Sequence, residues 1–568
     1  MLIMNSKWIP VACLMIVWAI AVYIVDPVGE FLINDDFGFA TALQNVMNGR
    51  ALGPTWLGPQ GSGGGPALFV HLLWGQLFSN FFGHSFTILR VSVLVLSITG
   101  SLAFFFLLRS TNAGDWLSFW GTLTLIFNPL YFSQSFTYMT DVTFISLTIF
   151  SFLMIHWGIE KNILALVVIG LFFALSATLT RQFGLFIALA FVVTCFIHPL
   201  GWRFGFRKAV VLALVIVVIP WVSFEYFLHR VGSTPFTDHQ LLNEILSFPA
   251  QKGFPDYLVF VTIQLSQNVL GYTCLAISPV VALLYRQYLD RNRYQCFFVL
   301  VSVFFGVLVL GIYSGWFSLP IFLNGNVVFN LGIGPILLKD TYILGIKRMV
   351  SIPSEIYYIL FWWTVLSVGL VLPLVWKSMR DISKTILGSE KNTSESFLTY
   401  FTLIFILLYV WTISLTGIRD RYTIPVATMT IVFLFSFSNE LRNFKFSIRN
   451  GFPAFVALGM IGFFSLSGTH DFMSLKRSQT KALNYLTNDL GIPPNHIDGG
   501  FEFNGYYCYN KDFQPKEGKS WWWVNREDYV ITLGDLSGYE TVRRFPFRRM
   551  IGQDGVIHIL KPLAVKSR

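Results

Sequence analysis

Residues 8–37 read WIPVACLMIVWAIAVYIVDPVGEFLINDDF. The apolar part, about residues 8–25, is long enough to span a bilayer as a helix. Two adjacent carboxylates, Asp35 and Asp36, follow it in the first loop beyond the span, near the far interface. Charges at that depth are costly unless they have a function. This stretch therefore predicts a membrane-spanning helix followed by an acidic pair with a chemical role.

The composition is that of a membrane protein. Hydrophobic residues make up 54% of the chain and charged residues only 12%, which excludes a disordered protein and indicates that the bilayer is the solvent. We therefore predict an all-α polytopic membrane bundle of about 13 transmembrane helices. The predicted spans lie near 8–25, 86–108, 116–133, 141–157, 162–180, 183–198, 208–227, 257–284, 295–315, 356–376, 397–416, 423–438 and 452–468.

Basic residues orient this bundle, because lysines and arginines collect in alternate, cytoplasmic loops. The residues that mark this side are Arg203, Arg207, Lys208, Arg286, Arg291, Arg293, Lys377, Arg380, Lys384, Lys391, Arg442, Lys445 and Arg449. The N-terminus is then inside and, with an odd number of spans, the C-terminus is outside. The net charge of +10 is explained mostly by these anchors and a basic tail, so no nucleic-acid partner is predicted. The exterior side is a bacterial periplasm, which we favour, or an ER lumen.

A second domain is predicted to begin near residue 470, where charged residues and short strand patterns replace the long apolar runs. We divide the chain into a transmembrane domain, 1–469, and an exterior soluble domain, 470–568. A helix near Ser474–Asp489 and strands near Tyr529–Leu533, Glu540–Phe545 and Gly555–Leu560 indicate a small α/β or α+β unit. The adjacent tryptophans 521–523 are interpreted as core or interface aromatics.

The first exterior loop, residues 26–85, is too apolar to be merely solvated. Apolar residues recur at helical spacing after the acidic pair and again over Pro66–Phe82, which predicts two helices lying in the interface plane. The glycine run Gly61–Gly65 between them is a flexible connector, or a place where a substrate approaches the backbone.

Three aspartates are candidate catalytic residues: Asp35, Asp36 and, at the exterior start of the fourth span, Asp141. Each of them has an alternative reading as a helix cap. Asn34 or Asp35 would accept hydrogen bonds from free amides of the following helix, and an aspartate in a first turn favours the positive end of the helix dipole.

The order of these motifs resembles the GT-C superfamily of polyprenyl-phosphate-sugar glycosyltransferases. The likeness is carried by the acidic pair after the first span, by Asp141, and by Arg421-Tyr422 with Pro425 entering a late span. It is strongest to the branch of protein O-mannosyltransferases and lipid A aminoarabinose transferases, and it covers most of residues 1–470 as topology and motif order. The resemblance implies that Asp35 is the catalytic base and Asp141 a supporting acid. Where the aminoarabinose enzymes have a basic residue before a double proline, this chain has Gly64-Gly65-Pro66-Ala67.

The chemistry can be stated from the residues alone. A carboxylate must take the proton of an acceptor hydroxyl as it attacks the anomeric carbon, and Asp35 is the candidate. A departing polyprenyl phosphate needs Arg or Lys donors at the interface. The exterior residues proposed to bind the substrate are Arg181, Lys347, Arg348, Arg419, Arg421 and Tyr422.

These basic residues also have simpler interpretations. Arg181 is equally an interfacial anchor that snorkels, and Lys347-Arg348 a salt-bridged surface patch. His229 and His239 share an exterior loop with Asp238 and Glu244, where solvated side chains are commoner than a metal site. Arginine and lysine suffice for the leaving group, so neither a metal nor another cofactor is required.

The sequence leaves competing functions open. The favoured one is an inverting membrane glycosyltransferase with a polyprenyl-phosphate-linked sugar as donor, membrane lipid around it, and an exterior glycan, lipid or protein as acceptor. The alternative is a secondary transporter or lipid-linked glycan flippase, and a structural or assembly role is a third reading. A transporter would place its charges near the bilayer midplane, whereas here they gather at one face.

Overall fold

The computed structural model describes most of the chain. The described residues are 8–49, 68–111, 113–198, 205–230, 253, 261, 264–288, 327–328, 333–348, 355–356, 358–359, 361–371, 374, 394–416, 419–437, 448–510, 512–515 and 519–563. Three features of the sequence lie outside them: the predicted span 295–315, the glycine run Gly61–Gly65, and the loop that contains His239.

Long apolar helices form most of the described structure. They are α1 (Ile9–Val25), α2 (Asp36–Met47), α3 (Phe69–Phe82), α4 (Phe86–Arg109), α5 (Asp115–Ile126), α6 (Pro129–Gln134), α7 (Thr140–Glu160), α8 (Leu164–Thr178), α9 (Leu185–Ile197), α10 (Phe206–Ala213), α11 (Ile219–Arg230), α12 (Tyr272–Tyr288), α13 (Phe361–Val371), α14 (Ser394–Thr416), α15 (Ile424–Phe437), α16 (Ile448–Asn484) and α17 (Phe501–Cys508). A π-helical turn, Leu214–Val218, joins α10 to α11, and another, Gln264–Gly271, precedes α12.

Five of the described helices are long and apolar enough to cross a bilayer, and five shorter ones are apolar as well. The five long ones are Phe86–Arg109, Thr140–Glu160, Phe206–Leu228, Ser396–Leu415 and Gly451–Asp489. The chain is therefore a helical integral membrane protein, as its composition predicts. The count of thirteen spans stays a prediction.

One predicted span is broken in two. The run 116–133 forms α5 and α6, because Pro129 has no amide hydrogen to donate and begins a new helix. Asn128 caps that helix, its Oδ1 accepting the amide hydrogen of Leu130 at 3.0 Å. The short α6 then leads into residues 135–139, immediately before α7 and Asp141.

Helix α7 lies at the centre of the bundle, with small and hydroxyl side chains at its close contacts. A Cβ added at Gly100 of α4 would lie 2.4 Å from Ser146 Oγ, so glycine permits this approach. The Ser146 hydroxyl donates to Leu96 O at 3.0 Å, and the Ser151 hydroxyl donates to Gly170 O of α8 at 2.7 Å. This packing fixes the end of α7 at which Asp141 lies.

Helix α16 joins the membrane bundle to the C-terminal sheet. It has 37 residues, or about 56 Å at 1.5 Å per residue, which exceeds the roughly 30 Å hydrocarbon core. The separate helix predicted over 474–489 is instead the second half of α16 and a π-helical turn, Tyr485–Asp489. Residue 470, the predicted domain boundary, lies inside this helix, which continues through Gly468 without a break.

The C-terminal strands form a four-stranded sheet in the order β1-β2-β4-β3. The strands are β1 (Ile497–Asp498), β2 (Tyr529–Thr532), β3 (Tyr539–Phe547) and β4 (Gly555–Pro562). Strand β1 is parallel to β2, with Ile497 opposite Tyr529, and the other two pairs are antiparallel. Three strands match the predicted ones within two residues, while β1 is too short for its pattern to be recognised.

Candidate active site

The acidic pair lies where the chain enters α2. Asn34 has a positive φ of 51°, and Asp35 stands at the N-cap position of the helix. The side chain of Asp35 makes no capping hydrogen bond, and the carboxylate of Asp36, in the first turn, accepts an amide hydrogen from Tyr138 outside this helix. The geometry therefore gives no support to capping as the whole explanation of the pair.

Asp35 faces an arginine from the other end of the sequence. Its Oδ2 lies 3.4 Å from Nη2 of Arg421, which belongs to a short 3₁₀ helix, Asp420–Thr423, just before α15. The Arg421 side chain is 9% exposed and that of Asp35 is 35% exposed. A buried cation therefore borders a carboxylate that molecules outside the protein can reach.

Asp141 forms a second ion pair beside the first. Its Oδ2 lies 2.8 Å from Nη2 of Arg181, and Arg181 Nε donates to Thr140 Oγ1 at 2.9 Å. Asp141 is in the first turn of α7, and no side chain caps that turn, because the N-cap residue is Met139. The carboxylate therefore holds Arg181 rather than the helix start.

Tyr422 joins the two ion pairs. Its ring lies 5.6 Å from the guanidinium carbon of Arg181 and 5.7 Å from that of Arg421. Both guanidinium groups are thus within cation–π distance of one aromatic ring. We call Asp35, Asp141, Arg181, Arg421 and Tyr422 the acid–guanidinium cluster.

Two guanidinium atoms of Arg421 have no partner in the part of the chain that the structure describes. Nε and Nη1 are buried and find no hydrogen-bond acceptor there. Burial disfavours the charged form, but Asp141, the Tyr422 phenol and Asp35 together raise the pKa of Arg421 above its ordinary value. A charged, buried arginine with two free donors is a site for an anionic group.

Asp36 turns away from the acid–guanidinium cluster. Its Oδ2 accepts the amide hydrogen of Tyr138 at 3.0 Å, and the side chain is fully buried. Burial raises the pKa of Asp36 to about 7, although the Tyr138 amide and Arg90 oppose this effect. Asp36 thereby ties α2 to the segment before α7, so it aligns the two helix starts that hold Asp35 and Asp141.

The side chains of the other basic candidates bind elsewhere or are exposed, although Arg419 O accepts the amide hydrogen of Tyr422 at 3.0 Å. Arg348 Nε donates to Asp340 Oδ2 at 2.8 Å and its Nη2 donates to Asp535 O at 3.1 Å, so it binds the loop between β2 and β3 of the C-terminal sheet. Lys347 and Arg419 are exposed. No contact within the described residues joins any of the three to Asp35 or Asp141.

Asp420 is a site residue to which sequence analysis assigned no role. Its Oδ2 accepts the amide hydrogens of Val327 and Val328 at 2.8 and 2.9 Å, and its Oδ1 accepts that of Arg421 at 2.7 Å. The carboxylate fixes the 3₁₀ helix that presents Arg421 and Tyr422. An acid directly before a basic residue at the start of a late span was the available signal.

Comparison with known proteins gives only a distant structural likeness. No protein-family model matches the chain, and no curated protein matches it. Among solved structures it is similar to ArnT from Cupriavidus metallidurans bound to undecaprenyl phosphate, with a TM-score of 0.37 and 12% identity over 98% of each chain. The apo state of the same ArnT gives a TM-score of 0.34 and 12% identity over 87% of this chain and 83% of that one. What this chain does has to be inferred from its own residues.

Proposed function

We propose that this chain is an integral-membrane, inverting glycosyltransferase that moves a sugar from a polyprenyl-phosphate donor to an exterior acceptor. One observation carries the proposal. The partly exposed carboxylate of Asp35 lies 3.4 Å from the buried guanidinium of Arg421, whose Nε and Nη1 have no acceptor among the described residues. A carboxylate that takes a proton thus borders donors that bind an anion, which are the two functions that such a transfer needs.

In the proposed reaction Asp35 takes the proton of an acceptor hydroxyl as its oxygen attacks the anomeric carbon. The new carbon–oxygen bond forms on the face opposite the phosphate, which inverts that carbon. The bond from the anomeric carbon to the phosphate oxygen breaks, and its electron pair leaves with the polyprenyl phosphate. The products are the glycosylated acceptor and the lipid phosphate.

Arg421 and Arg181 are the proposed donors to the departing phosphate. Negative charge grows on its oxygens in the transition state, so fixed guanidinium groups lower the barrier more than they strengthen ground-state binding. Asp141 and Thr140 hold Arg181, while Asp420 holds the segment of Arg421. The site supplies both roles with protein side chains, and the proposal includes no metal.

The proposed place of the reaction is the exterior face of the membrane. The acid–guanidinium cluster lies at helix ends, at the starts of α2, α7 and α15. Helix ends are expected near a membrane interface, where the headgroup of a lipid-linked donor lies, whereas a transporter would concentrate its charges near the midplane. We propose a bacterial inner-membrane location with the C-terminal sheet on the exterior side.

The decisive experiment uses the full-length protein purified in lipid nanodiscs. It is incubated with a panel of radiolabelled polyprenyl-phosphate sugars and a cell-envelope extract as acceptor, and transferred and released sugar are measured. We expect cleavage of at least one donor by the wild type and cleavage about 100- to 10,000-fold slower by Asp35→Asn. If instead the protein in sealed proteoliposomes moves the donor intact from one leaflet to the other, with no cleavage, the flippase alternative is favoured.

A further inference from the structure

The segment that carries Asp35 is held on both sides by one short helix of the C-terminal domain. Before Asp35, the amide of Asn34 donates to Glu502 Oε1 of α17 at 3.2 Å. After it, the ring of Phe37 lies edge-on to Phe501 of the same helix, with 5.3 Å between centroids. A Cβ added at Gly505 would lie 2.6 Å from Phe37 Cζ, so the backbone of α17 touches this ring directly.

Glu502 is held in turn by a lysine on the long helix that joins the two parts of the protein. Lys476 Nζ of α16 donates to the same Oε1 at 2.7 Å, and the two side chains are only 4% and 3% exposed. A buried ion pair is weak evidence for stability, because desolvation of both charges opposes their attraction. Its best-supported use is to specify one geometry.

The backbone at this point needs such an anchor. Asn34 adopts a φ of 51°, in the left-handed region, which asparagine adopts more readily than most other residues with a side chain. Its amide is buried, so without an acceptor it would carry a desolvation penalty of about 1–3 kcal/mol. The Glu502 carboxylate therefore stabilises the conformation in which Asp35 points to Arg421.

We propose that Glu502, held by Lys476, is a positioning residue through which the C-terminal domain fixes the catalytic base. This inference rests on the proposed function of Asp35. The domain supplies no atom to the reaction, yet it determines where the reacting carboxylate lies.

A matched pair of double variants isolates the hydrogen bond to Asn34. Lys476→Met/Glu502→Gln removes both buried charges and keeps an amide oxygen as acceptor. Lys476→Met/Glu502→Leu replaces the side-chain amide by a branched hydrocarbon of similar size and so removes that acceptor. Each variant is measured for kcat and KM of transfer, and for hydrogen–deuterium exchange of the peptide that covers residues 31–38.

We expect the Leu variant to have a kcat about 10- to 100-fold below that of the Gln variant, with a similar KM for the donor, since displacement of a reacting group by about 1 Å can cost 100-fold. We also expect faster exchange over residues 31–38 in the Leu variant. Equal kcat and equal exchange in the two variants would overturn the proposal. The exchange result does not depend on the reaction, so a wild type without transferase activity would refute the proposed function while the anchor was still measured.

Asp471→Asn is the control for general damage to the domain. Asp471 is a fully buried carboxylate of α16 that accepts the amide hydrogens of Met550 and Ile551 and pairs with the buried Arg549. Within the described residues, no hydrogen bond or ion pair joins it to residues 34–37. We expect this variant to lower the unfolding temperature while leaving kcat unchanged. A loss of kcat equal to that of the Leu variant would show that any destabilisation of the domain suffices, and would count against a specific role of Glu502.

Discussion

Replacing Asp35 by asparagine tests the central claim, because the amide keeps the size of the side chain but cannot take a proton. General-base catalysis contributes about 10²- to 10⁴-fold to turnover, or about 3–5 kcal/mol of activation free energy. If Asp35 is the base, the turnover of Asp35→Asn is lower than that of the wild type by a factor in this range.

The expected effect on folding is much smaller. The contact with Arg421 is 3.4 Å long and the carboxylate is 35% exposed, so solvent screening limits its contribution to about 1 kcal/mol or less. The side chain makes no capping hydrogen bond that the substitution would remove. We therefore expect the change in activation free energy to exceed the change in stability by at least about 2 kcal/mol.

The assay measures initial transfer rates and thermal unfolding of the wild type, Asp35→Asn and Asp36→Asn in the same lipid. Asp36→Asn is the matched control, since its neighbouring carboxylate accepts the Tyr138 amide and does not face the acid–guanidinium cluster. We expect it to retain most of the turnover. An Asp35→Asn protein with near-normal turnover, or one whose loss of activity follows a loss of folded protein, would refute the assignment of Asp35.

Other substitutions test the remaining parts of the site. Arg421→Lys keeps the charge but loses the planar set of donors. Loss of one or two charge-assisted hydrogen bonds should lower kcat/KM about 100-fold, which steady-state assays measure. Asp141→Asn releases Arg181, and we expect a lower kcat with a smaller effect on stability, measured by the same assays. Burial raises the pKa of Asp36 from 3.8 to about 7, so between these pH values the folded protein holds a proton that the unfolded chain has lost. The contribution of Asp36 to the free energy of unfolding is therefore largest below pH 4, and it falls by up to about 4 kcal/mol as the pH rises to 7. Asp36→Asn should flatten this part of the pH profile of the unfolding temperature, and an unchanged profile would contradict it. Protease added to right-side-out vesicles should digest residues 490–563, and protection would mean that the span count is wrong by one.

Part of this structure follows from short stretches of sequence. The helices α1, α4, α7, α14 and α15 begin and end within a few residues of the predicted spans, and three of the four strands are predicted closely. Burial of a long apolar run and the alternation of a strand are properties of consecutive residues, so they can be recognised without knowledge of the fold. The same reasoning fails at Pro129, where one missing amide hydrogen divides an apolar run into two helices.

By itself, the sequence determined a helical membrane protein with strands near its C-terminus, and it singled out Asp35, Asp141 and Arg421 as candidates. Only the tertiary structure decided which of them meet. Asp35 and Arg421 are 386 residues apart, and Asn34 and Glu502 are 468 apart, yet each pair is in contact. It also separated Asp35 from Asp36, and Arg181 from Arg348, although all four were candidate site residues in the sequence. Such contacts depend on how whole helices pack against one another, and local hydrophobic periodicity specifies which residues are buried without specifying their distant neighbours.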